Sequence, residues 1–173
     1  DIAQKYGIIL IEDCRSSLGG TYKGKKIGNL RADMTIFSTN PSNSKYAISR
    51  SGIIVTNNED IANRAKLLRT HALTTTYDSY GNLDYVYDVV DIGHKYDLSE
   101  LDAAYALAQL NKTQNFIKRR KEIAKLYQKR LTAVKHIVIP PHNDEHIFTQ
   151  FIIKVSRNRD AFARALKERG VST

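Results

Sequence analysis

A polar segment between two short apolar runs holds the side chains best suited to chemistry in this sequence. The runs, residues 34–38 and 53–56, are bounded by turn-forming residues, and such runs predict β-strands. The segment between them contains Asn43 and Lys45, of which only the lysine has an amine that can act as a nucleophile. Ligands of open α/β sheets bind in the crevice beyond the strand ends, so we expect a ligand site here.

An acidic residue follows a third apolar run. Residues 8–12 read IILIE, which predicts a strand buried on both faces, and Asp13 comes directly after it. A carboxylate at the end of a buried strand is costly unless another group pairs with it. Asp13 is therefore either a turn residue at the strand end or part of a ligand site.

Length and composition are those of an ordinary globular chain. Its 173 residues are 42% hydrophobic and 26% charged, which suits one domain with a sizeable core or a part of a larger protein. No apolar run is long enough to cross a bilayer, and residues 1–10 lack the layout of a signal peptide, so we expect a cytoplasmic protein. Cys14 is the single cysteine, and we interpret it as a small, partly buried side chain rather than a reactive thiol.

Much of the net charge of +9 is carried by one predicted helix, residues 113–135, in which Glu122 is the only acid. The apolar residues of this helix recur at helical spacing and predict one buried face: Ile123, Tyr127, Leu131 and Val134. A solvated charged face explains the charge without a partner, although attraction of a phosphate-bearing substrate or a polyanion stays open. No motif indicates specific nucleic-acid binding. Residues 142–146 contain two histidines and two acids, but their spacing suits no common metal site.

Strands and helices alternate along the chain, which predicts an α/β fold. The first residues resemble the tail of a helix that ends at Gly7, so we expect a fragment or a chain that has lost its start. Further expected elements are a hairpin or loop in residues 21–33, a helix capped by Asn58, an exposed loop or hairpin in residues 74–90, a helix capped by Ser99, a strand in residues 148–155 and a helix in residues 160–169.

The polar segment resembles a motif of one enzyme family, the DegT/DnrJ/EryC1/StrS group of pyridoxal-phosphate (PLP)-dependent sugar aminotransferases. In one branch the motif runs F-S-F-x-P-x-K-x-L-G-A-x-G-D-G-G and is followed by a hydrophobic strand that ends in threonine. It aligns without a gap with residues 37–56 and matches Phe37, Ser38, Pro41, Ala47, Gly52 and the strand that follows. The family's lysine, which forms the Schiff base with PLP, falls on Asn43. Lys45, two residues on, is the candidate substitute.

A second motif covers the first predicted strand end. Residues 12–19 are similar to the family's E-D-A-A-Q/H-A-x-G, in which the aspartate bonds the protonated pyridine nitrogen of PLP and keeps the ring a good electron sink. The resemblance therefore implies cofactor-binding roles for Asp13, for Ser16 at the Gln/His position, and for Ser38.

A third motif lies later in the chain. Residues 92–110 are similar to the family's G-Y-K-Y-N-x-x-D/E-x-x-A-A-x-x-L-x-Q-L, with Lys95 and Tyr96 among the matches. His71 matches the histidine of the family's R-x-H-G. The resemblance implies that these three residues face the substrate. In the family this segment reaches toward the neighbouring subunit, which implies a homodimer.

The implied fold is the type I fold of PLP-dependent transferases, like that of aspartate aminotransferase. Residues 1–112 would be the C-terminal portion of the cofactor-binding large domain, and residues 113–173 the long helix and part of the small α+β domain. The implied reaction is transamination of a nucleotide-linked keto sugar, with an amino donor such as glutamate, in amino-sugar or cell-surface polysaccharide biosynthesis.

The residue at position 43 keeps alternatives open. An amide is not basic or nucleophilic enough to form a Schiff base, so the chain is either impaired as an enzyme or a non-catalytic homologue with a structural or interaction role. The family also includes sugar dehydratases that bind PLP non-covalently and have histidine in place of the lysine. The asparagine at this position counts against that branch.

Overall fold

The chain forms two compact units, Asp1–Asn111 and Lys112–Thr173. The computed structural model describes residues 2–39, 51–77, 83–141 and 143–173. The first unit contains α1 (Ile2–Tyr6), β1 (Ile11–Asp13), β2 (Thr21–Tyr22), β3 (Lys25–Lys26), β4 (Met34–Ser38), β5 (Gly52–Val55), α2 (Glu59–Arg69), β6 (Leu73–Tyr77), β7 (Leu83–Val89) and α3 (Glu100–Leu110). The second unit contains α4 (Thr113–Leu131), β8 (Ile137–Val138), β9 (Lys154–Val155) and α5 (Arg159–Glu168).

A three-stranded sheet in the order β1-β4-β5 organises the first unit. β1 runs parallel to β4, with Asp13 level with Ile36. β5 runs antiparallel to β4, with Gly52 opposite Ser38. The carboxyl ends of β1 and β4 and the amino end of β5 therefore lie at the same edge of the sheet.

The side chains of β4 alternate between buried and half-buried positions. Thr35 and Phe37 are 2% and 4% exposed, while the other side chains of the strand are half-buried. The Thr35 hydroxyl donates to Oε2 of Glu12 at 3.3 Å, so its polar group is satisfied inside the sheet. Gly28 follows the β2–β3 hairpin and lies against Phe37, because a Cβ there would be 3.0 Å from the ring.

Asp33 joins all three strands at the opposite edge of the sheet. The Leu10 amide, just before β1, donates to Oδ2 of Asp33 at 2.8 Å. The Thr56 hydroxyl, just after β5, donates to the Asp33 carbonyl oxygen at 2.6 Å. Asp33 itself directly precedes β4, so this one residue holds the three strands in register.

The first strand differs from its prediction. It spans Ile11–Asp13 rather than residues 8–12, and Ile9 and Ile11 are 67% and 52% exposed, so it is not buried on both faces. The apolar run predicted burial because such runs are typical of central parallel strands. In the described sheet, however, β1 is an edge strand with β4 as its paired neighbour.

The predicted caps and hairpins are confirmed. Oδ1 of Asn58 accepts from the Ile61 amide at 3.1 Å and begins α2, and Oγ of Ser99 accepts from the Asp102 amide at 3.1 Å and begins α3. The strand pairs β2–β3 and β6–β7 are antiparallel hairpins.

The basic helix α4 has its buried face in a slightly different position from the predicted one. It buries Ile117 and Ala124, whereas Ile123 and Tyr127 are 39% and 47% exposed. The prediction followed the large apolar side chains, but a small alanine at the centre of the face allows close packing. None of the described helices is long and apolar enough to span a bilayer.

The predicted strand in residues 148–155 is mostly wrong. Only Lys154–Val155 forms a strand, which pairs with β8. Phe148 has a φ of 50°, in the left-handed region that an extended strand excludes. Its ring is buried and lies 6.4 Å from that of Phe151, which in turn stacks on Tyr127 at 5.1 Å. These aromatic contacts, rather than strand pairing, organise the segment.

Residues 93–96 lie antiparallel to the turn that ends α2. The Leu68 carbonyl accepts from the His94 amide at 2.7 Å, and the His94 carbonyl accepts from the His71 amide at 2.9 Å. Gly93 makes the close approach possible, since a Cβ on it would lie 2.2 Å from the backbone nitrogen of Ala72. His71 and Ala72 have φ values of 57° and 53°, so the turn is left-handed at two non-glycine residues and needs these contacts.

We expect Gly93→Ala to lower the free energy of unfolding by about 3 kcal/mol, because the added methyl group would meet backbone rather than a movable side chain. Urea unfolding of the purified chain measures the change. Gly52→Ala is the matched control, since a Cβ there would lie at an ordinary 3.8 Å from the Phe37 carbonyl oxygen. Equal stability of the two variants would contradict the close approach at Gly93.

Candidate functional site

Asp13 lies beside the end of β4, because the parallel strands β1 and β4 have their carboxyl ends at the same end of the sheet. The amide of Cys14 donates to the Ile36 carbonyl at 2.9 Å, so the chain continues the parallel pairing for one residue beyond Asp13. Ser38 is the last residue of β4 and lies two residues beyond Ile36, at the same edge. Asp13 and Ser38, both assigned to the cofactor from the sequence, are thus at the ends of neighbouring strands.

Both ends of segment 40–50 are held at this edge. The Thr39 amide donates to the Ser51 carbonyl oxygen at 3.0 Å, and the two hydroxyl groups are also hydrogen-bonded. The pairing of β4 with β5 therefore continues up to the segment on either side. Asn43 and Lys45 lie outside the described residues, but the chain enters their segment from β4, the neighbour of β1, and leaves it into β5 at the same end of the sheet.

The carboxylate of Asp13 is paired with Arg15. Nε of Arg15 donates to Oδ1 of Asp13 at 2.9 Å, and the Arg15 amide donates to the same oxygen at 3.3 Å. These two hydrogen bonds, the side-chain bond first, hold the pKa of Asp13 below its ordinary value. The two side chains are 57% and 70% exposed, so the pair is weak and solvent can exchange with it.

The neighbouring thiol of Cys14 is in an unfavourable place for a reactive cysteine. Partial burial raises its pKa, and the carboxylates of Glu12 and Asp13 raise it further. A thiol held in its protonated form is a poor nucleophile and a poor metal ligand. The structure thus supports the interpretation of Cys14 as a packing residue.

Ser16 is exposed in the turn that follows β1. It comes directly after Arg15, on the same strand end as Asp13. A serine hydroxyl can donate one hydrogen bond and accept others, but it is shorter than the glutamine or histidine of the family motif. Its place supports an approach to a ligand at the sheet edge, and no contact of its own fixes it there.

The three residues assigned to the substrate form a second group. His71 lies on the turn that ends α2, and Lys95 and Tyr96 lie on the segment that pairs with this turn. Lys95 pairs with Thr70 in an antiparallel bridge, and the Tyr96 amide donates to the Arg69 carbonyl oxygen at 3.0 Å. His71 is bonded to the same segment through its amide. All three assigned side chains are exposed.

Two residues of these groups were missed from the sequence. Arg15 was not singled out, although an arginine two residues after an aspartate at a turn is a local ion-pair signal. The motif comparison gives no role to His94, yet its ring stacks on that of Tyr96 with centroids 4.9 Å apart and planes inclined by 8°. Alternate residues of an extended segment lie on one face, which is the signal that could have indicated this pair.

The fold matches those of solved sugar aminotransferases. The chain is 26% identical to the sugar aminotransferase CalS13 from Micromonospora echinospora over 98% of its length, with a TM-score of 0.80. Helicobacter pylori PseC, an aminotransferase involved in the biosynthesis of pseudoaminic acid, matches at 23% identity over 98% of the chain, with a TM-score of 0.83. Spr1654 from Streptococcus pneumoniae in its PLP form matches at 22% identity over 99% of the chain, with a TM-score of 0.79. These matches confirm the predicted α/β fold of PLP-dependent transferases.

The chain spans about half the length of these solved structures, with 46%, 45% and 45% of the three covered. A family model, that of the DegT/DnrJ/EryC1/StrS aminotransferase family, matches residues 1–173. The chain therefore belongs to this family of PLP-dependent sugar aminotransferases, and the resemblance seen in its motifs is confirmed.

Among the described residues of the site, Asp13 suits the pyridine nitrogen of PLP. A protonated pyridine nitrogen requires an ionised acceptor, and a carboxylate such as that of Asp13 is ionised at neutral pH. Ser38 lies at the same sheet edge and offers a hydroxyl. Among the described residues no group of three or more His, Cys, Asp or Glu side chains is placed to hold a metal ion.

We expect Arg15→Ala to raise the pKa of Asp13 toward its ordinary value, because the side-chain bond that favours the charged form is removed. Arg15→Lys keeps the charge without the Nε bond and should give an intermediate value. An NMR titration of the Asp13 carboxyl carbon measures the shift. Asp91, whose pKa is lowered by a separate bond from Arg64, is the internal control and should not move.

The sign of the pH effect follows from the lowered pKa. A depressed folded-state pKa stabilises the fold above the pKa of the unfolded chain, and this contribution is lost as the pH falls through the folded value. The wild type should therefore lose more stability on acidification than Arg15→Ala. An Asp13 titration that is the same in both proteins would rule out the ion pair in solution.

We expect the Cys14 thiol of the folded chain to react with iodoacetamide several-fold more slowly at pH 8 than that of the urea-unfolded chain, because its pKa is raised by burial and by nearby carboxylates. Mass spectrometry over a time course measures both rates. Asp13→Asn removes one of these charges and should speed the reaction of the folded chain. Equal rates for folded and unfolded chains would contradict the raised pKa.

Proposed function

We propose that this chain belongs to a nucleotide-sugar aminotransferase and carries the acid that faces the PLP ring together with a substrate-facing segment. One observation carries the proposal. The ionised carboxylate of Asp13 ends a strand at the sheet edge where both ends of segment 40–50 are held, and that segment contains the family's lysine position. The strand order therefore supports a shared site for the acid and the segment that contains the anchor position.

When bound, PLP supplies the electron sink that lets an amino group pass from a donor such as glutamate to a keto sugar. The chain's own residues prepare its surroundings. Asp13 accepts a hydrogen bond from the ring nitrogen and keeps the proton there. Ser38 and Ser16 offer hydroxyl groups to the cofactor from the same edge.

The proposed substrate-binding residues lie on the turn that ends α2 and on the segment that pairs with it. Lys95 can pair with a phosphate group, and Tyr96 and His71 add hydrogen-bonding groups on an exposed surface. This set suits a sugar linked to a nucleoside diphosphate, which has both negative charge and many hydroxyl groups.

Arg15 competes with the ring nitrogen for Asp13 at one oxygen, since both of its hydrogen bonds go to Oδ1. The ion pair is exposed to solvent and weak, so it gives way readily to a hydrogen bond between two charged groups. Arg15 therefore weakens cofactor binding without preventing it.

A non-catalytic homologue is the second candidate, and the residue at position 43 favours it. Asn43 has no amine, and Lys45 is displaced by two residues, or roughly 6–7 Å along an extended chain. We propose that the chain is impaired in the covalent step and retains non-covalent affinity for PLP.

Helix α3 supports the proposed homodimer. Its apolar side chains Leu101 and Leu107 are 79% and 60% exposed, and the small alanines between them permit close approach of another surface. A structural or interaction role would use the same exposed side chains. Location in the cytoplasm stays a prediction from the sequence.

We expect the wild-type chain to bind PLP without a specific covalent label after borohydride reduction, and Asn43→Lys to acquire a label on the introduced lysine. Peptide mapping by mass spectrometry locates the label, and PLP absorbance in equilibrium dialysis measures the affinity. Asp13→Asn should weaken non-covalent binding about tenfold, since a hydrogen bond between charged groups is lost. Asp91→Asn, which also removes an exposed acid paired with an arginine, should leave the affinity unchanged.

Other results would change the assignment in defined ways. A specific label on Lys45 in the wild type would make that residue the anchor and the chain competent for the covalent step. Absence of PLP binding in both the wild type and Asn43→Lys would contradict the aminotransferase proposal and leave the non-catalytic homologue.

A further inference from the structure

The positive charge of the chain is concentrated in its second unit. Residues 112–173 contain 15 of the 27 lysines and arginines but only 5 of the 18 aspartates and glutamates, so this unit has a net charge of +10. The first unit, residues 1–111, has a net charge of −1. Positive charge confined to one part of a molecule attracts polyanions to that part. A polyanionic partner is therefore expected at the second unit.

A row of lysines runs along the outer side of α4. Residues three, four or seven positions apart lie on one side of a helix, and Lys118, Lys125 and Lys129, here called the lysine row, are spaced in this way. All three are exposed. Glu122, the one acid of α4, pairs with Arg119 at 3.1 Å, and none of the acids in the described part of the chain pairs with the lysine row. Like charges four residues apart repel each other, so a negatively charged partner would relieve this helix.

Large apolar side chains lie on the adjoining side of α4. Phe116, Ile123 and Leu126, here called the apolar row, are 43%, 39% and 46% exposed. The buried side of the helix lies elsewhere, at Ile117 and Ala124. A helix with only water outside turns its large apolar side chains inward. Solvation therefore accounts for the lysines of α4, but it does not account for the apolar row.

Two arginines lie in line with the apolar row. Arg119 and Arg130 are each three or four residues from its members, so residues 116, 119, 123, 126 and 130 follow one line along the helix. Both arginines are exposed. Cations beside exposed apolar side chains are typical of helices that lie in the headgroup region of a bilayer, where lipid phosphates meet the cations and acyl chains meet the apolar groups. Nucleic acid would satisfy the cations alone, because its phosphate backbone offers no apolar phase.

We propose that the outer side of α4 is a docking surface for an anionic phospholipid bilayer. The lysine row and the two arginines bind lipid phosphates, and the apolar row enters the boundary between headgroups and acyl chains. The helix then lies on the membrane, since none of the helices that the structure describes is long and apolar enough to cross it. This inference goes beyond the proposed function and is independent of it, because docking requires neither PLP nor any residue of the candidate site.

Sedimentation of the purified chain with lipid vesicles tests the charged part of the surface. Vesicles of phosphatidylcholine with about one third phosphatidylglycerol should bind the wild type about tenfold or more tightly than vesicles of phosphatidylcholine alone. The double variant Lys118→Glu, Lys125→Glu should lose about tenfold or more of the affinity for the anionic vesicles. The matched control Lys25→Glu, Lys26→Glu changes the net charge equally, in β3 of the first unit, and should bind within about twofold of the wild type.

A second double variant tests the apolar row. Phe116→Gln, Leu126→Gln keeps the charge and introduces a good helix former, and it should lose about fivefold or more in affinity for the anionic vesicles. High salt screens the cations, so the binding that persists there in the wild type should be absent from this variant. Ile2→Gln removes another exposed apolar side chain, in α1, and should bind as the wild type does. Thermal melting of each variant verifies that it is folded.

Each contrary outcome identifies a different alternative. Equal affinity for vesicles with and without phosphatidylglycerol would contradict the binding of lipid phosphates. Equal losses in the two lysine double variants would show that net charge, and not the lysine row, sets the affinity. Tighter binding to a duplex oligonucleotide than to the anionic vesicles, unaffected by Phe116→Gln, Leu126→Gln, would indicate a nucleic-acid surface instead. Absence of binding to both would show that this side of α4 is not a polyanion surface.

Discussion

The parallel pairing of β1 with β4 is the constraint on which the candidate site depends. Parallel strands end at the same edge, so Asp13 after the first strand and Ser38 at the end of the second are neighbours although they are distant in sequence. Asp33 fixes the register from the opposite edge by bonding to Leu10 and Thr56. A slip of one residue would turn Asp13 to the other face of the sheet and separate it from the ends of segment 40–50.

Local patterns predicted most of the elements, and the failures have physical causes. Asn58 and Ser99 were predictable caps because a side-chain oxygen at that position satisfies an amide of the first turn whatever surrounds it. The burial of β1 was not predictable, since an apolar run does not reveal whether its strand is central or at an edge. The prediction of a strand after residue 147 is wrong at Phe148. This residue has a left-handed backbone, and its ring packs near that of Phe151.

The candidate site was predicted where it follows from motif and strand order, and missed where it depends on side-chain direction. Asp13 was assigned to the cofactor because it matches the aspartate of a family motif, since its position at a strand end alone left a turn residue as the alternative. Its actual partner, Arg15, and the stack of His94 on Tyr96 both join residues two apart in sequence. Whether such residues meet is decided by the turn or extended backbone between them, which composition and periodicity do not specify.

The two groups differ in how much they depend on any one atom. A covalent anchor would depend on one amine nitrogen, and the asparagine at position 43 has none. Binding of a ligand beside residues 93–96 would instead be shared among several exposed side chains, so the loss of one contact would reduce its affinity without abolishing it. The strained turn at His71 and Ala72 supports this distinction, because two left-handed residues are held in place by the segment that presents the stack. Ligand binding, rather than turnover, is therefore the property of this chain to measure first.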